Sequence, residues 1–233
     1  MKPSNGPTAT SETLSDCSLC PRRCGVDRIA GERGFCNAGA AMEVASAVVH
    51  RGEEPFFTGG KGTGNIFFNH CSMACVYCQN HQISRHGGGR NCSPDELADV
   101  LLSFQEQGCP TVGFVSPGHY LPLVAETITS ARERGLTVPV IWNSNGYETV
   151  EYLRMLEGLV DIYLPDIKYM NEEAGREYSE APGYPEAAKA AVKEMFRQAG
   201  PLATENGMAG KGLCIRHLVL PNGLSDTEKV LEL

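Results

Sequence analysis

Seven of the ten cysteines stand in two sets. Cys71, Cys75 and Cys78 follow one another at spacings of four and three, close enough for one loop to wrap a single metal site. Structural zinc prefers four closed ligands, and the local count is three. A cubane iron–sulfur cluster on three thiolates keeps one iron open, and an open iron takes an external ligand. His70 and His81 stand close by and could instead supply a fourth ligand to zinc. The second set, Cys17, Cys20, Cys24 and Cys36, offers four thiolates. Pro21, Gly25, Gly31 and Gly34 supply turns between them, and Arg22 and Arg23 would favour the thiolate form. Four cysteines suit a closed site, either zinc or a second [4Fe–4S] cluster. Cys92, Cys109 and Cys214 stand alone and read as ordinary buried thiols.

The elements that must position these groups alternate between two textures. Short apolar runs at 64–69, 111–115, 137–142, 160–164 and 213–220 read as strands. Between them, 94–107, 121–134, 149–157 and 185–199 read as helices, the first opened by a Ser93–Glu96 capping box and closed by Gly108. A second capping box, Ser225 to Glu228, opens a last helix. Strands that are apolar on both faces and each followed by a helix indicate parallel β/α units. Such units wind right-handedly into a barrel or a doubly wound sheet, with ligands at the carboxyl ends of the strands. Read by that rule, Cys71, Cys75 and Cys78 follow the first strand and Ser116, Gly118 and His119 the second. Asn143, Ser144, Asn145 and Gly146 follow the third, Asp166 and Lys168 the fourth, and Arg216 and His217 lie within the fifth. One convergent mouth accounts for that succession better than scattered loops.

The domain expectation is a disordered lead-in over 1–15, a Cys-rich module over 16–63 with one strand at 42–50, and a β/α domain over 64–233. Hydrophobic residues at 42% and charged residues at 21% suit a folded globular chain. No window holds the ~20 apolar residues of a membrane span, and the first residues lack the apolar core of a secretory signal. With thiols grouped for metal rather than for disulfides, the location expected is the reducing cytoplasm. The net charge of −8, with 20 basic against 28 acidic residues, disfavours nucleic acid as a partner. Glu53 and Glu54 before Pro55 read as a solvated turn in preference to an acid/base pair, His119 as either a proton shuttle or a hydrogen-bonded loop residue, and Gly87–Gly89 as a flexible tip.

C-x3-C-x2-C after the first strand of a β/α domain, with Tyr77 just before the last cysteine, resembles the radical S-adenosylmethionine superfamily. GEEPFFTGGKGTGNIFFNHC, CVYCQNHQIS, VSPGHY, NSNGYE, VDIYLPDIKY and IRHLVLPN narrow the likeness to its pyruvate formate-lyase activating enzyme-like branch, over about residues 51–222. The resemblance implies an α/β fold, a partial barrel of six β/α units. Five are recognisable, so a fragment lacking one unit is expected. It implies a [4Fe–4S] cluster on Cys71, Cys75 and Cys78, with S-adenosylmethionine chelated at the open iron. It implies a one-electron reductant such as flavodoxin or ferredoxin, a 5′-deoxyadenosyl radical, and hydrogen abstraction, with a glycyl radical enzyme as the partner. Tyr77 matches the position against the adenine, Asn143 and Asn145 line the cofactor, and Asp166 and Lys168 match an Asp-x-Lys pair beside it. Arg216 matches a fifth-strand arginine. The family's Gly-Gly-Glu motif is replaced by Ser116-Pro117-Gly118-His119, where the Ser116 hydroxyl and backbone carbonyls could accept from the methionine ammonium. No residue is singled out as a catalytic acid or base. Two rival readings stay open: the same radical chemistry on a small molecule or RNA, and a non-catalytic module in which both cysteine sets hold zinc.

Overall fold

The computed structural model describes residues 7–233. Residues 1–6 of the expected lead-in lie outside the described residues, and the rest of it is not disordered. Pro7–Ser15 forms helix α1, with Leu14 buried and Thr10 Oγ1 donating to Glu126 at 2.5 Å. After the Cys-rich loops come β1 (Met42–His50), α2 (Pro55–Thr58), β2 (Thr63–Phe68), α3 (His81–His86), β3 (Arg90–Cys92) and α4 (Pro94–Glu106). Then follow β4 (Val112–Val115), α5 (Leu121–Glu133), β5 (Val140–Ser144), α6 (Val150–Leu153) and β6 (Ile162–Ile167). The chain continues through α7 (Glu172–Ser179), α8 (Tyr184–Ala199), β7 (Ala203–Glu205), β8 (Met208–Leu213), β9 (Arg216–His217) and α9 (Thr227–Leu231).

The sheet runs β3-β1-β2-β4-β5-β6-β8-β7, with β9 also on β6. From β2 through β8 every pairing is parallel, and β9 is parallel to β6 as well, the arrangement of an open, partial barrel. The expected α/β class therefore holds. Antiparallel strands flank this parallel core, β1 and β3 at one edge and β7 at the other. Because β1 is paired in this sheet, and Leu14, Cys17, Leu19, Ala38 and Met42 join the main core, the Cys-rich segment packs as part of the same body.

Period-2 alternation divides the strand residues between two faces. Ile66, Phe114, Trp142 and Tyr163 lie in one register row and face the core packed under α4, α5 and α8. The neighbouring rows, Asn65–Gly113–Ile141–Ile162 and Phe67–Val115–Asn143–Leu164, occupy the opposite, concave face. Phe57 of α2 packs onto Ile141, Ile162 and Leu164 there. The Ser93 cap forms as expected: its hydroxyl accepts from Glu96 N while Glu96 returns to Ser93 N.

Two expectations fail at the C-terminal side. The run 213–220 is not one strand. The fifth position is filled by β8, turned back from β7 at Asn206–Gly207, and then by the two residues of β9, while Leu218 and Val219 are exposed. Ser225 is not a helix cap. Its hydroxyl accepts from Leu220 N and donates to Leu218 O, so it staples the preceding loop, and Asp226 stands before α9 instead.

Candidate functional site

The loop after β2 is held in place mainly by α7, an element with no strong pattern in the sequence, and by the start of α8. Ala74 N donates to Ser179 O and Val76 N to Tyr178 O, both at 2.9 Å, so the loop runs beside the end of α7 like an extra strand. Beneath it Met73, Tyr147, Tyr169, Ala174 and Tyr184 form an apolar bed that Cys71, Cys75 and Tyr77 pack against. From the opposite side Arg22 Nε donates to Ser72 O at 2.7 Å. His119 pins the loop's root. Its Nε2–H donates to Asn69 O at 2.9 Å, and burial pushes the imidazole down to about 3, so it is the hydrogen-bonded loop histidine and not a shuttle near neutral pH.

Hydrogen-bonding groups stand at all three sulfurs. Met73 N and Asn145 Nδ2 each donate to Cys71 Sγ at 3.4 Å. Ser179 Oγ donates to Cys75 Sγ at 2.9 Å, and Ser84 Oγ lies 3.5 Å from Cys78 Sγ. A relay reaches Cys75 from Tyr77: Tyr77 OH donates to Tyr169 OH at 2.6 Å, and Tyr169 OH is 2.9 Å from Ser179 Oγ. Burial pushes the Cys71 thiol up to about 11, with the neighbouring Cys75 and Cys78 adding to it. Burial likewise raises Cys75, against the pull of the Lys168 charge. Such thiols keep their protons until a metal displaces them. Donors aimed at sulfur suit metal-bound thiolates, so this set fits a thiolate-held cluster.

The other residues expected at the mouth are brought to the same end of the sheet. Asn145 Nδ2 also donates to Ser72 Oγ at 3.2 Å, tying the β5 end to the cysteine loop. Asp166 and Lys168 form an ion pair at 2.8 Å with the ammonium largely buried, so it is not a surface pair. Burial opposes the Lys168 charge, but Asp166, Tyr184 and Cys75 outweigh it and hold the amine protonated. Tyr184 OH bridges Asn145 O at 3.1 Å and Asp166 O at 2.9 Å. Ser116 sits at φ 50, a left-handed conformation, and its N–H donates to Asn143 O at 2.8 Å.

Arg216 pairs in register with Asp166, but its guanidinium turns to Glu53 and Glu54, with Nε 2.9 Å from Glu54 Oε1. Glu53 also accepts from Asn65 Nδ2 at 2.8 Å and lies 3.0 Å from His50 Nδ1. The pair expected as a solvated turn is thus a partly buried ion network, with the Glu53 side chain only 10% exposed. The Gly87–Gly89 tip is also committed: Gly88 N and Gly89 N donate to Glu43.

The sequence reading missed Ser179, which ends the unrecognised α7, together with Tyr169, Tyr184 and Glu148. The Glu148 carboxylate accepts from Trp142 Nε1 at 3.0 Å and Ser144 Oγ at 2.7 Å, and Ser144 Oγ accepts from Gly146 N at 2.9 Å. This fastens the turn that carries Asn145. Gly118 leaves room for it, since a Cβ there would stand 2.6 Å from Glu148 Oε1. The cue was the glutamate already inside NSNGYE.

The signature of the Radical SAM superfamily matches residues 65–232, more than half of the chain. The chain belongs to the radical SAM superfamily. It is 32% identical over 229 residues to Uncharacterized protein MJ0674 of Methanocaldococcus jannaschii, covering 94% of this chain and 61% of the relative. It is 25% identical over 173 residues to the pyruvate formate-lyase-activating enzyme of Clostridium pasteurianum, covering 72% of this chain and 66% of that one. The chain thus spans less than two thirds of either relative's length. Radical SAM membership makes this an enzyme fold and implies a [4Fe–4S] cluster, S-adenosylmethionine and an electron donor. No helix among the described residues is long and apolar enough to cross a membrane.

Proposed function

We propose that this radical SAM chain cleaves S-adenosylmethionine reductively on a cluster held by Cys71, Cys75 and Cys78, and uses the product radical to abstract hydrogen. The observation that carries this reading is the set of hydrogen-bonding partners at the three sulfurs: Met73 N and Asn145 Nδ2 at Cys71, Ser179 Oγ at Cys75 and Ser84 Oγ at Cys78. When bound, cluster and cofactor together supply a one-electron cleavage of the sulfonium that yields methionine and a 5′-deoxyadenosyl radical.

The chain's own residues bind and orient. The buried Lys168 ammonium would meet the methionine carboxylate, with Asp166 as its counter-charge or as an acceptor for an ammonium or ribose hydroxyl. Asn143 and Asn145 would line the cofactor beside Cys71. The turn at Ser116, held by Asn143 O, presents carbonyls and a hydroxyl where relatives carry Gly-Gly-Glu. Tyr77 would flank the adenine, its hydroxyl already tied to Tyr169. Arg216 would act from within its glutamate pair and set the charge of the concave face.

For the substrate, the likeness to a pyruvate formate-lyase-activating enzyme supports a glycine of a glycyl radical enzyme. The reductant would be a flavodoxin or ferredoxin. Anaerobically reconstituted protein with reductant should release 5′-deoxyadenosine, and Cys71→Ala should release none. Equal release from that variant would sink the reading. A glycyl radical signal on a candidate partner, seen by electron paramagnetic resonance, tests the substrate separately.

A further inference from the structure

Glu43 stands on β1, outside the cysteine loop, yet that loop opens and closes on it. β1 lies between β2 and β3 in the sheet, so the chain enters the loop from one neighbour of β1 and returns as the other. At the exit, Asn69 N donates to Glu43 O at 2.9 Å. The next residue, His70, has a left-handed backbone at φ 73, and its buried ring places Nε2 2.8 Å from Glu43 Oε2. A carboxylate only accepts, so Nε2–H is the donor. At the return, Gly88 N and Gly89 N both donate to Glu43 Oε1, at 2.6 and 2.9 Å.

The glycines are what this return requires. Gly87 and Gly88 are left-handed, at φ 64 and 98, and successive N–H groups in such a turn converge on one anion. A Cβ on Gly89 would run into Asn69 Oδ1 and Val44 O. Helix α3 ties the loop from within. His70 N and Asn69 Nδ2 donate to Ile83 O at 3.0 and 3.2 Å, and next to Ile83 stands Ser84, whose hydroxyl meets Cys78. One carboxylate therefore fastens both the residue before Cys71 and the segment after the helix beside Cys78. Ordering a loop costs conformational entropy, so a loop fastened in advance gives up less when it takes up metal.

We propose that Glu43 is a positioning residue of the cluster site: through His70 and the Gly88 and Gly89 amides, it holds the cysteine loop in its ligating shape before metal arrives. It lies ahead of the stretch matched to the superfamily, residues 65–232. The link to iron rests on the cluster reading given under the proposed function; the fastening of the metal-free loop does not.

The test begins with metal-free protein. In Glu43→Ala, amide hydrogen exchange at Gly88 and Gly89 should speed up by at least about tenfold, while the amides of β4 and β5 keep their wild-type protection. After anaerobic reconstitution, the same variant should lose iron to a chelator at least about tenfold faster than wild type. Glu43→Gln keeps the reach and an acceptor for both glycines, whereas Glu43→Asp keeps the charge and loses the reach. Gln should therefore restore slow exchange and slow iron loss better than Asp, and this comparison stands even where Glu43→Ala does not fold. Unchanged exchange at Gly88 and Gly89 in Glu43→Ala, exchange that rises equally across β4 and β5, iron loss at the wild-type rate, or better rescue by Asp than by Gln would each overturn the proposal. Wild-type protein that takes up no iron would sink the cluster reading instead and leave amide exchange to decide the clamp.

Discussion

Ser179 Oγ donates to Cys75 Sγ across 2.9 Å, although the two residues lie 104 positions apart in the chain. The contact exists because α7 ends where the cysteine loop runs past it. Hydrogen bonds to a ligand sulfur tune its basicity and orientation, and their loss costs about 10–100-fold in affinity or activity. Ser179→Ala should therefore lower cluster retention or 5′-deoxyadenosine release by at least about tenfold. Ser179→Thr, which keeps the hydroxyl, should recover most of it. Iron content and single-turnover release measure both.

Glu148 makes stability fall as pH rises. Burial raises its carboxyl to about 7, against the donors Ser144 and Trp142, from an unfolded value of 4.5. Between those values the folded chain binds more proton than the unfolded one, so stability declines from pH 4.5 to 7 and stays reduced above. Glu148→Gln imitates the protonated form. It should gain on wild type by up to about 3 kcal/mol between pH 5 and pH 8, read from denaturant midpoints under anaerobic conditions.

His119 works in the opposite sense. Burial holds its folded value at about 3 against 6.5 when unfolded, so the unfolded chain takes the proton first on acidification. Stability then drops below pH 6.5. His119→Gln keeps a donor for Asn69 O without titrating, and should gain on wild type by about 1–2 kcal/mol at pH 5. Equal pH slopes for the two proteins would contradict the buried neutral imidazole.

Arg216 is the shared partner of two carboxylates. Arg216→Met leaves Glu53 and Glu54 partly buried and uncompensated, which should cost about 2 kcal/mol at neutral pH. Burial pushes the Glu54 carboxyl up, but Arg216 outweighs it and the net shift is downward. The stabilisation is thus present above the unfolded value and lost as pH falls through the lowered one. The gap between variant and wild type should narrow as pH falls through that lowered value, as thermal midpoints across pH would show.

Much of the architecture was legible because it rests on local chemistry. The strand at 42–50 was read to the residue, and the Ser93 cap carries its whole hydrogen-bond pattern within four residues. The three-cysteine loop was legible for the same reason. What failed depended on distant partners. Ser225 carries the same capping pattern as Ser93, but the Leu218–Leu220 carbonyl and amide claim its hydroxyl first. The run 213–220 is apolar enough for a strand, yet beyond Leu213 its hold on β6 comes down to Cys214 N donating to Tyr163 O and the short pairing of Arg216 and His217. Glu53 and Glu54 look like loop carboxylates until Arg216 reaches them from 162 residues further along the chain. Helix α7, poor in apolar residues, is set by the Asn171 cap and by its contacts with the cysteine loop.

The pairing of β1 with β2 bears on how the protein can be cut. The superfamily match begins at residue 65, inside β2, and leaves β1 behind. A chain begun there would present β2 as a bare edge, its unpaired amides and carbonyls open to another strand, with Phe68 and Tyr120 stripped of the cover that Met42 and Arg28 give them. Such a piece should aggregate rather than stay monomeric, so the portion that identifies the family is shorter than the portion that can be handled in solution.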